Sequence, residues 1–290
     1  MKRKKVALIL GANGGIGLEA TKRLINDNFF VCAGYHKSKK NLNELKKVNK
    51  FSKFLSLHNF NVENEELVSK KIKRLSRKHD HFDVIILSMS PKIINTKILD
   101  AEWDGYQTHL EVQLKGLYSS LKALSDQIRS GHKTKFIVVL SEYCISNPPK
   151  GLSQYVASKY AAMGLAKSIS QEVAEFGSTC NMISPGMVET DLLDNLPRKL
   201  IEINAQSNPL KRNANLDDIS NLISYLASPK SDIVQSIGRI LREKEENRKK
   251  IPLIIDINDN FSIFINQSKK RLTYYNKNKS WFTIDYALEY

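Results

Sequence analysis

Tyr155 and Lys159 stand four residues apart in the run Gln154-Tyr155-Val156-Ala157-Ser158-Lys159-Tyr160-Ala161-Ala162, which opens a stretch of good helix formers ending near Phe176. On a helix this spacing puts a phenol and an ammonium on one face. A free phenol titrates at about 10, and a cation within a few Å favours the phenolate. Lys159 is therefore expected to lower the pKa of Tyr155 toward a range useful for acid–base work at neutral pH. The chemistry implied is delivery of a proton to an oxygen that gains negative charge. Because the same spacing occurs on ordinary helix faces, the argument depends on the elements that hold the pair.

Those elements alternate. Val6-Ala7-Leu8-Ile9-Leu10 is a continuous apolar run of the kind that forms a strand buried on both faces, and Gly11-Ala12-Asn13-Gly14-Gly15-Ile16-Gly17 follows at once. Next comes a helix with Ile16, Ala20, Leu24 and Ile25 on one face. Strand, glycine turn and helix are the context for pyrophosphate binding, with the backbone turning tightly and the helix N-terminus meeting the charge. A second strand, Phe30 to Gly34, leads to His36 and Lys37 where NAD-binding chains carry an acidic residue. A cation there attracts a 2'-phosphate, which favours NADP(H) while leaving NAD(H) possible.

Further strands are expected at Lys53–Leu57, leading to Asn61 and Val62; at Asp83–Leu87, leading to Ser88; at Phe136–Leu140, with Ser141 at its end; and at Asn181–Ile183, before the turn Ser184-Pro185-Gly186. Helices are expected from about Glu63 to Lys78 and from Ala101 to Ile128. The alternation predicts an α/β fold with a doubly wound, Rossmann-like parallel sheet that binds its ligand at the carboxyl edge of the strands.

Composition narrows the classes. The chain has 290 residues, 41% of them hydrophobic, enough for a sizeable core, and its longest apolar runs are far short of a membrane span. The basic opening Met1 to Lys5 precedes an apolar run that glycines cut short, so it is read as a strand behind a basic tail rather than a leader, in a cytoplasmic protein. Three widely spaced cysteines, Cys32, Cys144 and Cys180, fit reduced thiols and show no metal-ligand spacing. The formal charge of +15 is spread through a Lys- and Asn-rich chain without interleaved aromatic and basic residues, so no nucleic-acid partner is expected.

Taken together, Gly11-x3-Gly15-Ile16-Gly17, Tyr155-x3-Lys159 and Asn181-x2-Ser184-Pro185-Gly186-x3-Thr190 resemble the short-chain dehydrogenase/reductase family over about residues 5–242, and within it the 3-oxoacyl-[acyl-carrier protein] reductases. Supporting matches are Asn208 to Arg212 and Leu226 to Pro229. The resemblance implies that Tyr155 gives its proton to a carbonyl oxygen, that Lys159 also binds the nicotinamide ribose, and that Val188 and Thr190 hold the carboxamide. It also implies a small-molecule or carrier-bound carbonyl substrate, with Lys150, Lys199, Lys211 and Arg212 available to an acidic carrier, and a homo-oligomer.

This chain departs from the family pattern in several places. Leu87-Ser88-Met89-Ser90 replaces the usual Asn-Asn-Ala-Gly, and Gln113 falls where the tetrad has asparagine. Gly14 stands where NADP-dependent members often carry a basic residue. Counting back from Tyr155 by the commonest interval reaches Glu142, whereas matching the strand end reaches Ser141. Ser141 is preferred, because a buried carboxylate would repel the charge that develops on the substrate.

Gly238 to Leu241 resembles the last family strand, and residues 243–290 are expected to form a small β-rich extension after a reductase domain of residues 1–242. The expected activity is NADPH-dependent reduction of a ketone or 3-oxoacyl group. The alternative is a nucleotide-binding regulatory or scaffold protein that keeps the fold after its tetrad has drifted.

Overall fold

The computed structural model describes residues 3–228. Six strands, β1 (Val6–Leu10), β2 (Phe30–Tyr35), β3 (Leu55–Asn59), β4 (Val84–Leu87), β5 (Lys135–Val139) and β6 (Thr179–Ile183), form one sheet in the order β3-β2-β1-β4-β5-β6. All its pairings are parallel. Strand order reverses between β1 and β4, so a crevice opens beyond their carboxyl ends, where ligands bind in such sheets.

Side chains alternate across the sheet with a period of two, and each face has its own core. Val6, Leu8, Leu10, Ile85, Leu87, Phe136 and Val138 point to one side. There they meet α4 (Glu65–Lys78), α6 (Gly116–Ala123) and α8 (Ser153–Glu172). Ala7, Ile9, Val84, Ile86 and Ile137 point to the other, against α1 (Gly15–Asn26), α2 (Lys40–Lys47) and α10 (Leu216–Ala227). Coverage of both faces explains why these strands read as unbroken apolar runs rather than alternating ones.

Three expectations move. The third strand starts at Leu55 rather than Lys53, because α3 (Asn49–Ser52) ends in a turn in which Phe54 N–H bonds the Phe51 carbonyl (3.0 Å). The last described strand begins at Thr179, two residues before Asn181. The expected continuous helix from Ala101 to Ile128 is instead a set of pieces: α5 (Trp103–Leu110), a π-helical segment Glu111–Lys115, α6, and α7 (Ser125–Arg129). A π segment inserts an extra residue into the helical ladder, and hydrophobic periodicity does not reveal that insertion.

A buried amide secures the far end of the sheet. Gln127 on α7 accepts from Phe82 N–H (3.0 Å) and the Ser76 hydroxyl (2.7 Å), and donates to the Phe82 carbonyl (3.0 Å) and Thr134 Oγ1 (2.6 Å). All four hydrogen-bonding positions of the amide are used. The expected strand at Gly238–Leu241, the domain boundary at 242 and the β-rich extension lie outside the described residues. No helix among the described residues is long and apolar enough to cross a membrane.

Candidate active site

Parallel topology brings the sequence-marked residues to one edge. Gly11 follows β1, His36 and Lys37 follow β2, Asn61 follows β3, Ser88 follows β4, Ser141 follows β5 and Pro185 follows β6. At β1 the chain turns on Gly11, whose φ of +85° is costly for any residue with a Cβ. A Cβ there would also fall 2.7 Å from the Ser88 carbonyl carbon. The turn is fixed to α2 through Asn13, whose carbonyl accepts from Asn41 Nδ2 (3.1 Å) and whose side chain accepts from Leu42 N–H (3.2 Å).

Helix α8 carries Tyr155 and Lys159 and is clamped to α5 at its first turn. Tyr106 and Ser153 share a hydroxyl hydrogen bond of 2.7 Å. Gln154 Nε2 bonds the Glu102 carbonyl (3.3 Å) and lies so close over Gly105 that a Cβ there would be 2.2 Å away. Lys159 is 5% exposed, with its ammonium 5.6 Å from the centre of the Tyr155 ring.

The electrostatics differ from the sequence expectation. Tyr155 is not lowered but pushed up to about 12, because burial strips water from the phenolate and the neighbouring Cys144, Tyr143 and Glu142 add to the rise. The Ser141 hydroxyl, hydrogen-bonded to the phenol, works against this. Lys159 is itself lowered to about 8 by burial. Its ammonium donates to the Val139 carbonyl (2.7 Å), so the charge is anchored to β5. Desolvation therefore exceeds the pair attraction in this structure.

The two serine-position candidates separate. Ser141 is buried, bonds Tyr155 and accepts from Tyr143 N–H (3.3 Å). Glu142 turns the other way, toward the Met187 backbone and the side chain of Asn204 on α9 (Arg198–Ser207). Burial raises its carboxyl while those two bonds lower it.

Gln113 sits in the π segment, 5% exposed. Its Nε2 reaches Ser90 Oγ at 3.4 Å and its Oε1 has no partner. The sequence reading missed two neighbours. His109, one turn before Gln113, is buried with Nδ1 unpartnered, and its pKa is lowered to about 4 by burial and the charge of Lys159. Tyr143, two residues past Ser141, buries an unpartnered hydroxyl. The signal for both was proximity in sequence to Gln113 and Ser141.

The nucleotide-side residues form a cradle. A Cβ on Gly15 would fall 2.3 Å from Thr190 Cγ2, and one on Gly17 would fall 2.2 Å from the Gly11 carbonyl oxygen. The Thr190 side chain thus closes onto the glycine turn at the start of α1. A helix N-terminus opening on a glycine turn suits a pyrophosphate. Ile16 packs against the core beneath. Val188 is buried and bridges to Ala214, and Pro185 accepts from Glu142 N–H (2.8 Å). Gly186 lies under Glu142, where a Cβ would meet Oε2 at 3.1 Å. Asn61 caps its own turn by accepting from Glu63 N–H (3.2 Å), whereas Val62 is buried in the core. His36 and Lys37 are exposed beside the β2 end. Of the basic residues expected near the mouth, Arg212 is engaged by Asp218 (2.7 Å) and Lys211 by the Gln206 carbonyl (2.9 Å).

Among the described residues one group has metal-ligand geometry: Asp80, His81 and His132, whose ligand atoms lie within 4.8 Å of one another. It sits near the amino ends of β4 and β5, away from the crevice, and the Arg3 guanidinium already bonds His81 and Asp83 there.

A doubly wound sheet with a glycine cradle and a buried Tyr–Lys–Ser cluster at one edge defines a dinucleotide-dependent oxidoreductase class. The family described as enoyl-(acyl carrier protein) reductase, adh_short_C2, matches residues 11–237, and the chain belongs to the short-chain dehydrogenase/reductase family of NAD(P)-dependent oxidoreductases. It is 28% identical over 243 residues to the 3-oxoacyl-[acyl-carrier-protein] reductase FabG of Staphylococcus aureus, covering 81% of this chain and 95% of that one. The FabG of Thermotoga maritima is 27% identical over 239 residues, covering 81% and 95%. In fold the chain is similar to ElxO with NADP bound (TM-score 0.71, 20% identity, covering 79% and 94%). It is likewise similar to an actinorhodin polyketide ketoreductase variant with NADPH (TM-score 0.70, 20% identity, covering 79% and 92%).

Proposed function

We propose that the protein reduces a ketone or 3-oxoacyl group with NADPH, Tyr155 giving the proton. The observation that carries this is a phenol buried beside the Lys159 ammonium and hydrogen-bonded to Ser141, at the sheet edge where Thr190 closes on the glycine turn. The curated relatives, 3-oxoacyl-[acyl-carrier-protein] reductases, and the NADP and NADPH bound in the similar structures support it.

Bound NADPH supplies the hydride. The residues that would hold it are Gly11, Asn13, Gly15, Ile16 and Gly17 at the pyrophosphate, His36 and Lys37 at the 2'-phosphate, and Asn61, Val62 and Ser88 along the flank. Lys159 would hold the nicotinamide ribose, and Pro185, Gly186, Val188 and Thr190 the carboxamide. Tyr155 donates its proton to the carbonyl oxygen as charge develops there, and Ser141 holds that oxygen in place. The Lys159 ammonium stabilises the phenolate left behind. The high pKa of Tyr155 keeps the proton on the phenol until a substrate oxygen takes it. Gln113 stands in for the tetrad asparagine, its free Oε1 offering an acceptor to a water that returns the proton. A carrier would approach over Lys150 and Lys199. Exposed Tyr118 and Tyr160, on α6 and α8, favour pairing with a second copy.

NADPH consumption by a panel of ketones and 3-oxoacyl thioesters tests the reading, with Tyr155→Phe expected to abolish it while NADPH still binds. Full activity in that variant overturns the role of Tyr155. A second reading, a nucleotide-binding protein without turnover, is favoured by the Lys159 ammonium being spent on Val139 and by Gln113 replacing asparagine. Tight NADPH binding with no turnover across the panel would select it.

A further inference from the structure

The hydroxyl of Tyr143 is buried without any hydrogen-bond partner, although its ring is packed in the same apolar cluster as Tyr155, with Ile93, Leu152, Met187 and Leu196. Phenylalanine would fill that space as well. An unsatisfied buried hydroxyl shifts the folding equilibrium unfavourably by roughly tenfold, so its retention calls for a partner that arrives later. Glu142, whose charge acts on Tyr143, is turned to the Met187 backbone and Asn204 instead.

The position of Tyr143 fits a substrate contact. Its backbone N–H is bonded to Ser141 Oγ (3.3 Å), the hydroxyl that also bonds Tyr155, so both phenols are referenced to one atom. The charge of an ionised Tyr143 lies close enough to raise the Tyr155 pKa. Both are 8% exposed in the same cluster, so a ligand that reaches the Tyr155 hydroxyl enters the surroundings of the Tyr143 hydroxyl as well.

We infer that Tyr143 is a specificity-determining residue that donates a hydrogen bond to a second oxygen close to the reduced carbonyl, so that the site selects 1,3-dicarbonyl compounds over isolated ketones. This rests on the carbonyl-reductase reading above. A site built to hydrogen-bond a substrate discriminates strongly against analogues that lack the partner, because the buried donor is then left unpaired.

The test compares ethyl 3-oxobutanoate with heptan-2-one, of equal chain length but without the second carbonyl, in the full chain and in Tyr143→Phe, following NADPH consumption. The variant is expected to lose roughly tenfold to a hundredfold in kcat/KM for the oxoester. For heptan-2-one it should stay within about twofold, since nothing on that substrate pairs with the hydroxyl. The intrinsic reactivity of the two carbonyls cancels in the ratio of ratios. Its melting temperature should be unchanged or higher, since the orphan hydroxyl is gone. An unchanged oxoester preference, an equal loss on both substrates or a lowered melting temperature overturns the inference while leaving the reductase reading intact. No turnover of either substrate by the unaltered protein overturns the reductase reading first, and the inference with it.

Discussion

The ring of His109 stands edge-on to that of Tyr155, with centroids 6.1 Å apart and planes at 80°. The histidine is held neutral by burial and by the charge of Lys159, so α5, the π segment and α8 meet at an uncharged imidazole.

A pH dependence of stability follows. The folded pKa of His109 is lowered to about 4 from 6.5, so between those values the unfolded chain binds the extra proton and the folded one does not. Stability therefore rises with pH across that window and is lost as pH falls from 6.5 toward 4. His58, also lowered to about 4 by burial and neighbouring cations, acts in the same direction. Melting curves between pH 4 and 7 should show this slope, and His109→Phe should make it shallower. A slope identical in the variant would contradict the assignment.

Lys159 sets an alkaline limit on activity. With its pKa lowered to about 8, the ammonium loses its proton, and its hold on a developing phenolate, as pH rises past that value. The reductive kcat/KM should fall through pH 8, long before Tyr155, at about 12, could ionise. Lys159→Met should cost at least a hundredfold at every pH, because the charge is absent throughout. A flat profile up to pH 10 would show that the ammonium does not govern the rate.

Two glutamines give opposite expectations. Gln127 satisfies four partners, so Gln127→Leu strands the Phe82 N–H and the Ser76 hydroxyl, leaves the Phe82 carbonyl and Thr134 Oγ1 paired with each other, and should destabilise by ~3 kcal/mol. Gln113 has a bare Oε1, so Gln113→Leu should leave the denaturation midpoint nearly unchanged while lowering kcat at least tenfold. Chemical denaturation and initial rates on the same preparations separate the two. Equal losses of stability would mean that Gln113 is merely a structural amide.

Glycine substitutions in the turn should also divide. Gly11→Ala meets both a φ of +85° and the Ser88 backbone at 2.7 Å, and is expected to cost ~2 kcal/mol or more of stability. Gly15→Ala meets the Thr190 side chain, which can rotate aside. It should fold and yet bind NADPH at least tenfold more weakly, as read by fluorescence titration. Undiminished binding in Gly15→Ala would remove the glycine turn from the cofactor site.

The doubly wound sheet was legible because strands covered on both faces read as apolar runs, and because glycine turns mark where the chain leaves them. The carboxyl-edge residues were legible for the same reason: parallel order alone puts Gly11, Ser88, Ser141 and Pro185 at one edge. What the sequence did not show depends on dielectric and on inserted residues. The sign of the Tyr155 shift reversed because spacing reveals the Lys159 charge but not the depth of burial. The π segment hid that Gln113 and His109 both leave polar atoms unpartnered. Ser141 and Glu142 are adjacent, and only the turn after β5 separates the one that faces Tyr155 from the one that faces Met187 and Asn204.

The contact between Thr190 and Gly15 also sets a timetable for synthesis. The glycine turn is among the first segments to leave the ribosome, but the side chain that closes it follows about 175 residues later. At translation rates of roughly 5–20 residues per second, that is a delay on the order of ten to thirty seconds. A nascent chain halted just after Ile183 would hold the six described strands and Tyr155 yet lack the closing threonine, so nucleotide competence arrives late, after those six strands have been made.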